Sequence, residues 1–335
     1  MKTKPTHRLL AAAALLLSAL SLQAFSLSAA AASASAAAPA PAEIRVLTYN
    51  ILGSRPQTEA DAKCEPWAKR KPLVLEILRA SPDGAPYDFI GTQEASINPD
   101  PALHQVNQLA AAMTGYKSLY AACTGIQDAA TPKTISYSNL IFWRADRWQL
   151  DPDEHGSFWL SSAPETPGSN AWVKELLGNN NGGPRNVTWG LFHEIAAGKP
   201  TGRKVYFFNT HLNVHVLEAR NRSALLIMER IAQRKDPSAP VILTGDFNSR
   251  RDTLVYNYLT GRPVTHNGTP RVAPVPLRES FATANPSAPV SASPAIDYIF
   301  VSPPLLPVKS QTQPTPPGAT RPSDHNPVSA LLEWQ

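Results

Sequence analysis

The stretch Val241-Ile242-Leu243-Thr244-Gly245-Asp246-Phe247-Asn248 sets the reading of the rest, because an apolar run here delivers a carboxylate and a carboxamide to one place. Side chains alternate along an extended strand, so residues two apart share a face, and Gly245 is expected to let the backbone turn where the run ends. Asp246 and Asn248 can then reach one ligand together, and the pairing asks for a metal or a phosphate. The same four residues also read as an ordinary turn closing a strand. Neighbouring segments decide between the two.

Other apolar runs end in the same fashion. Ile44 to Leu47 leads into Thr48-Tyr49-Asn50, Phe89-Ile90 into Thr92-Gln93-Glu94, and Val205 to Phe208 into Asn209-Thr210-His211, with Asn213 two residues further on. Between them the spacing predicts a helix over about 71–79, with Pro72 in its first turn, and another over about 218–233 carrying Leu225, Met228 and Ile231. Strands alternating with helices predict an α/β protein with largely buried strands, whose ends assemble sites. Asn139–Phe142, Ser157–Leu160 and Val187–Phe192, separated by Gly, Pro and Asn clusters, predict antiparallel hairpins beside these units. No internal repeat is visible at the level of identity.

The first residues are basic, Leu9 to Leu22 are apolar, and small residues follow through Ser35. That order predicts a secretory signal peptide over roughly residues 1–32, cleaved between Ala24 and Ala37. Ser18, Ser21 and Gln23 make the run a poor membrane span, which needs about 20 apolar residues, so no stable membrane insertion is expected. A flexible Ala/Ser/Pro lead-in over 33–42 and a single domain over 43–335 complete the expected organisation, with a secreted or periplasmic location and a monomeric state. Export makes a disulfide between the two cysteines, Cys64 and Cys123, the expected pairing over two thiols, and two cysteines are too few for a zinc site. The formal charge of +5 falls to +2 once Lys2, Lys4 and Arg8 leave, which is weak support for a polyanionic partner. The 33 prolines cluster over 263–318 and predict long ordered loops or rigid connectors there.

Two further segments complete the chemistry: Ile296-Asp297-Tyr298-Ile299-Phe300 carries one carboxylate inside an apolar run, and Ser323-Asp324-His325-Asn326-Pro327 precedes a last strand over Val328 to Leu332. Singly, Glu94 could be a solvated strand end, His211 a loop histidine and Asp324 a cap. Asp297 is costly to bury without a partner such as a histidine. Taken together, Gln93-Glu94, Thr210-His211-Leu212, Gly245-Asp246-Phe247-Asn248, Asp297-Tyr298-Ile299 and Ser323-Asp324-His325, in this order from Val46 to Leu332, resemble the endonuclease/exonuclease/phosphatase superfamily, the deoxyribonuclease I-like phosphoesterases.

That resemblance implies an α/β fold of two mixed β-sheets packed as a sandwich flanked by helices, in four α/β/β/α layers, with the site at one end. It implies that Glu94 binds a divalent cation, Mg²⁺ or Mn²⁺ with Ca²⁺ also admissible, assisted by Asn50 and Asp324. Asp246 and Asn248 would hold the scissile phosphate and the attacking water, Asp297 and His325 would form a charged dyad, and His211 would lie near the phosphate. Tyr137 resembles a phosphate-contacting tyrosine of the apurinic endonuclease branch. Phe158 to Trp189 resembles a bacterial subgroup of metal-dependent hydrolases.

Elementary chemistry points the same way. A phosphoester repels an anionic nucleophile, so a catalyst must neutralise the phosphoryl oxygens and present water in line. A hard cation on carboxylate and amide oxygens suits the first task. Asp246 is expected to orient or deprotonate the water, and His325, raised by an adjacent carboxylate, to stabilise the phosphate. Arg185 could fork onto a phosphate or lie on a solvated loop. Three functions compete: a nuclease, which would want a basic groove, a phosphatase or phosphodiesterase on a small or lipid phosphoester, and a non-catalytic binding module, which the intact constellation argues against.

Overall fold

The computed structural model describes residues 43–54, 64–126, 131–179, 182–292, 294–315 and 319–335. The segments read as signal peptide and lead-in, 1–32 and 33–42, lie outside the described residues. In chain order the elements are β1 (Glu43–Asn50), α1 (Trp67–Arg79), β2 (Phe89–Ile97), α2 (Gln105–Ala112), β3 (Tyr116–Leu119), β4 (Ser136–Arg144), β5 (Trp148–Trp159), α3 (Ala171–Leu177), β6 (Asn186–Ala196) and β7 (Lys199–His211). They continue with α4 (Leu217–Ala232), β8 (Val241–Asp246), α5 (Leu254–Leu259), β9 (Val264–His266), β10 (Thr269–Arg271), β11 (Arg278–Glu279), α6 (Ser280–Ala284), β12 (Asp297–Val301), β13 (Leu305–Thr312) and β14 (Val328–Trp334).

Two six-stranded sheets result, ordered β13-β14-β1-β2-β4-β3 and β11-β12-β8-β7-β6-β5, with β9 and β10 as a separate hairpin. Each sheet holds one parallel pair, β1–β2 with α1 in the crossover and β7–β8 with α4 in the crossover, and is otherwise antiparallel. Parallel neighbours require such a crossover, and their C-terminal ends lie together. Asn50, Glu94, His211 and Asp246 stand on or close to those ends. Of the segments expected to form hairpins, those over 157–160 and 187–192 fall at the end of β5 and in β6, which pair antiparallel but are joined through α3, whereas Asn139–Phe142 belongs to β4 of the other sheet, antiparallel to β2 and β3.

Alternation divides the apolar residues into three layers. Val241 and Leu243 face a cluster with Ile227, Met228 and Ile231 of α4, whereas Ile242 faces the space between the sheets with Phe89, Phe207 and Ile299. A third cluster lies under α1 and α2. Phe89 anchors the inter-sheet layer, its ring centroid 4.9 to 5.1 Å from those of Trp148, Phe192 and Phe207. The inward positions then change character along each strand: Val46, Thr48, Asn50 on β1; Phe89, Gly91, Gln93 on β2; Phe207, Asn209, His211 on β7; Ile242, Thr244, Asp246 on β8. Along these four strands the inward positions run from oily to polar toward the site.

Three local expectations are corrected. The first helix begins at Trp67, one turn earlier than its spacing suggested, so Pro72 lies in the second turn. Burial of Trp67 and Arg70 secures the added turn. Gly245 does not turn the chain: it pairs with Tyr298 and Thr210 inside the sheet, where a Cβ would come within 2.4 Å of the Thr210 carbonyl oxygen. The turn falls at Asn248, whose φ is +46°.

Finally, no disulfide joins Cys64 and Cys123, and both are thiols. Cys123 is buried with its Sγ donating to Asn186 Oδ1 at 3.3 Å, while Cys64 interacts electrostatically with Tyr49 and Arg70 on the helix side of the first sheet. Among the described residues no helix is long and apolar enough to cross a membrane.

Candidate active site

Asp246 ends β8 directly opposite Asp297, the first residue of β12, in an antiparallel pair. Two carboxylates so placed, both buried, repel each other unless protons or cations intervene. His325 intervenes. Its Nδ1–H donates to Asp297 Oδ2 at 2.8 Å and its Nε2 lies 3.7 Å from Asp246 Oδ2. His211 Nε2 approaches the same Asp246 oxygen at 3.4 Å, and Asn50 Nδ2 donates to it at 3.0 Å. The other oxygen, Oδ1, accepts the Asn248 N–H at 2.9 Å.

Burial works against charge on His325, yet its bond to Asp297 and the charges of Asp297, Asp246 and Asp324 outweigh it and raise the imidazole to about 9. Burial, then the charge of Asp297, pushes Asp246 up to about 7. Asp297 is likewise pushed up by burial, against the bond from His325. One proton is shared across that bond, and it resides on the imidazole as the stronger base. His211 is the opposite case: burial first, then the cationic fields of Arg185 and His325, hold it well below the usual histidine range. The site therefore pairs one cationic histidine with one neutral histidine.

Glu94 is presented by a strained backbone. Its φ is +61°, at the break in register between Thr92 and Ala95 where β2 pairs with β4. A non-glycine residue there persists only where its surroundings hold it. Asn50 Nδ2 donates to Glu94 Oε1 at 3.3 Å and the Gly53 N–H to Oε2 at 3.2 Å. A Cβ on Gly53 would come within 2.2 Å of the Tyr137 ring, so Tyr137 lies against the loop after β1 that holds Glu94. Asp324 follows Ser323, whose hydroxyl donates to the Asn50 carbonyl at 2.6 Å and accepts the His325 N–H at 3.3 Å.

Donor chemistry permits a divalent cation here. Neither Glu94 nor Asp324 pairs its carboxylate with a cationic side chain among the described residues, and both charges bear on Asp297, whose buried Oδ1 has no hydrogen-bond partner. Oxygen donors whose charge no salt bridge among the described residues satisfies suit a hard cation. Asp246, Asp297 and His325 also offer three ligating atoms within 4.8 Å of one another. The proton between His325 and Asp297 makes that trio a poorer cradle than Glu94 with Asp324 and Asn50.

The remaining candidates fall on both sides of this centre. Arg185 is half-buried, its charge reaches His211, and its buried Nε has no acceptor among the described residues. Asn248 Nδ2 donates to the Leu212 carbonyl at 3.1 Å, tying its loop to the one after His211. Asn213 turns Oδ1 to the His215 and Val216 N–H groups, 2.9 Å each, and so shapes the entry to α4. The pattern of strand ends did not single out three residues that hold the site from beneath.

Arg70 is one of them, buried and donating to the carbonyls of Ile51, Leu52, Glu65 and Pro322 at 2.7 to 2.9 Å, which joins the loop after Asn50 to the one before Asp324. It occupies the apolar stripe of Trp67, Val74 and Leu78, and that misplacement was its signal. Gln93 and Asn209 are the others. Gln93 Nε2 donates to Asn209 Oδ1 at 2.7 Å across the sheets, and Asn209 Nδ2 donates to the Thr92 carbonyl at 2.9 Å, at the very break that presents Glu94.

The chain as a whole is similar to known proteins. A family model described as Endonuclease/Exonuclease/phosphatase family matches residues 47–325. A mannosyl-6-phosphatase from Bacteroides thetaiotaomicron superposes with a TM-score of 0.63 at 26% identity, covering 87% of this chain and 100% of that one. An endonuclease/exonuclease/phosphatase family protein from the same organism gives 0.63 at 25%, over 88% of this chain and 99% of that one. The carbon catabolite repressor protein 4 homolog 4 of Arabidopsis thaliana is 24% identical over 86% of this chain and 77% of its own length.

Proposed function

The chain belongs to the endonuclease/exonuclease/phosphatase family, whose members are hydrolases of phosphoesters that use divalent metals, and from that premise we propose that it cleaves a phosphodiester or phosphomonoester by in-line attack of water. The observation that carries this reading is the convergence on Asp246 of Asn50, His211, His325 and, through the strand pairing, Asp297.

Asp246, with one oxygen fixed by the Asn248 N–H and the other facing both histidines, orients the attacking water and takes its proton. His325, aligned by Asp297, presents its Nε2 as a cationic donor to a phosphoryl oxygen. Arg185, with an unsatisfied Nε on the His211 side, adds a second donor. Glu94 and Asp324, beside Asn50, would hold Mg²⁺ or Mn²⁺, with Ca²⁺ an admissible third. Such an ion, when bound, neutralises phosphoryl charge and stabilises the leaving oxygen.

Likeness to a mannosyl-6-phosphatase supports a small phosphorylated substrate, and the basic-apolar-small order of residues 1–32 supports export. The test is a panel of sugar, nucleotide and inositol phosphates, plasmid DNA, RNA and sphingomyelin. Turnover is expected to vanish in EDTA, to return with Mg²⁺ or Mn²⁺, and to be lost in His325→Ala. Metal-independent hydrolysis of the whole panel would overturn the reading.

A further inference from the structure

The chain immediately after the site enters a second concavity. Four residues beyond Asp246, the sequence Arg250-Arg251-Asp252 forms one wall of an open cavity of about 730 Å³, and Arg262 and Tyr256 contribute another. Its floor includes Ala295 and Tyr298, which bracket Asp297 in sequence. Alternation turns the Asp297 side chain toward His325 and the Tyr298 ring the other way, against Tyr256 at a centroid distance of 5.4 Å. Cavity and catalytic centre thus share the strand β12 and the loop after β8, and that loop is fixed by the Phe247 N–H donating to the Ile296 carbonyl at 2.9 Å.

Three guanidinium-bearing residues line this cavity, against Asp252 as the one carboxylate among its lining residues. They are not equivalent. Arg251 is locked, bonded to Glu279 Oε2 at 2.6 Å and placed over the rings of Tyr256 and Phe281, with its buried Nε lacking an acceptor. Among the described residues the Arg262 side chain hydrogen-bonds only the amide oxygen of Asn257, at 3.2 Å. The Arg250 side chain makes no hydrogen bond or ion pair among the described residues, and its backbone carbonyl accepts from the N–H and hydroxyl of Thr253. Like charges gathered around a hollow repel one another until an anion joins them, and a guanidinium fork matches phosphate geometry.

We propose that this cavity binds a second phosphate of the substrate, on the far side of β12 from the scissile one. The inference rests on the phosphoesterase reading above and deepens it: the preferred substrate carries at least two phosphates. The second phosphate can belong to a bisphosphorylated small molecule or to the next link of a nucleic-acid backbone.

The experiment compares wild type with Arg250→Gln/Arg262→Gln, both exposed positions, on a sugar monophosphate, the corresponding bisphosphate and a short oligothymidylate. In wild type, kcat/KM is expected to favour one of the two substrates with more than one phosphate over the monophosphate by ~10-fold or more, mostly through KM, and in the double variant that ratio should collapse toward one. Which substrate shows the preference identifies the source. A ratio near one in wild type, or an unchanged ratio in the variant, overturns the proposal. If none of the three is turned over, the phosphoesterase reading fails separately, and calorimetric titration with the bisphosphate still decides. Binding weakened ~10-fold in the variant sustains the cavity, and equal binding overturns it.

Discussion

The two ends of the sandwich interior both bury acidic residues, and they treat them oppositely. At the end remote from the site, Asp88 Oδ1 accepts from Arg147 and Trp148 at 2.8 and 3.2 Å, and Oδ2 accepts the Arg45 N–H at 2.7 Å. Glu194 nearby is matched by Arg147, Arg203 and Thr201. Every one of these oxygens has a donor, and Arg147 serves both carboxylates. At the site end, among the described residues, no arginine bonds Asp246 or Asp297 and one oxygen of Asp297 has no partner, while Glu94 sits on a strained backbone. Saturated charge is architecture, whereas charge left short of donors keeps its capacity for a ligand.

The contrast breaks most visibly by exchanging the two ends' roles. Asp246→Asn keeps the shape of the side chain and removes its charge, so kcat is expected to fall by ~10³-fold or more. Its melting temperature should stay level or rise, because a buried charge facing Asp297 has gone. Asp88→Ala should do the reverse. It leaves Arg147 with Glu194 alone and strands the Trp148 indole N–H and the Arg45 N–H, and is expected to cost about 1–3 kcal/mol in denaturant unfolding while kcat of the folded enzyme holds. An Asp246 variant that loses stability but not turnover would dissolve the distinction.

Much of the site was legible because strand alternation is local. Asn50, His211 and Asp246 are the polar terminals of apolar runs, and Asp297 was conspicuous as a carboxylate within one. What lies across from each strand is not local. Gln93 and Asn209 read as neutral strand residues until the sheets face each other, and only then does the 2.7 Å bond between them appear. Gly245 misled for the same reason, since the atom that excludes a side chain there belongs to a neighbouring strand. The paired cysteines were inferred from an expected compartment rather than from geometry, and geometry set them apart.

The polar layer beneath the site gives an intermediate test. Asn209→Leu leaves Gln93 Nε2 short of one acceptor and the Thr92 and Leu140 carbonyls short of a donor, at an expected cost of about 1–3 kcal/mol. Because Thr92 adjoins the break that presents Glu94, kcat should fall as well, by ~10-fold, through misplacement of the carboxylate. A loss of stability with kcat intact would make Asn209 a brace between sheets and nothing more.

The smallest effect separates the thiols. Burial pushes Cys123 up to about 11, so at pH 8 it remains protonated as well as enclosed, and its Sγ is occupied with Asn186 Oδ1. Cys64 is half-buried. Titration of the native protein with a thiol reagent is therefore expected to read one fast group, abolished in Cys64→Ser, and a second only after denaturation. Two fast groups would mean that the strands around Asn186 open readily at the site end. No thiol even in denaturant would mean that the chain had closed a bond which this fold, with one sulfur under the helices and the other between the sheets, does not form.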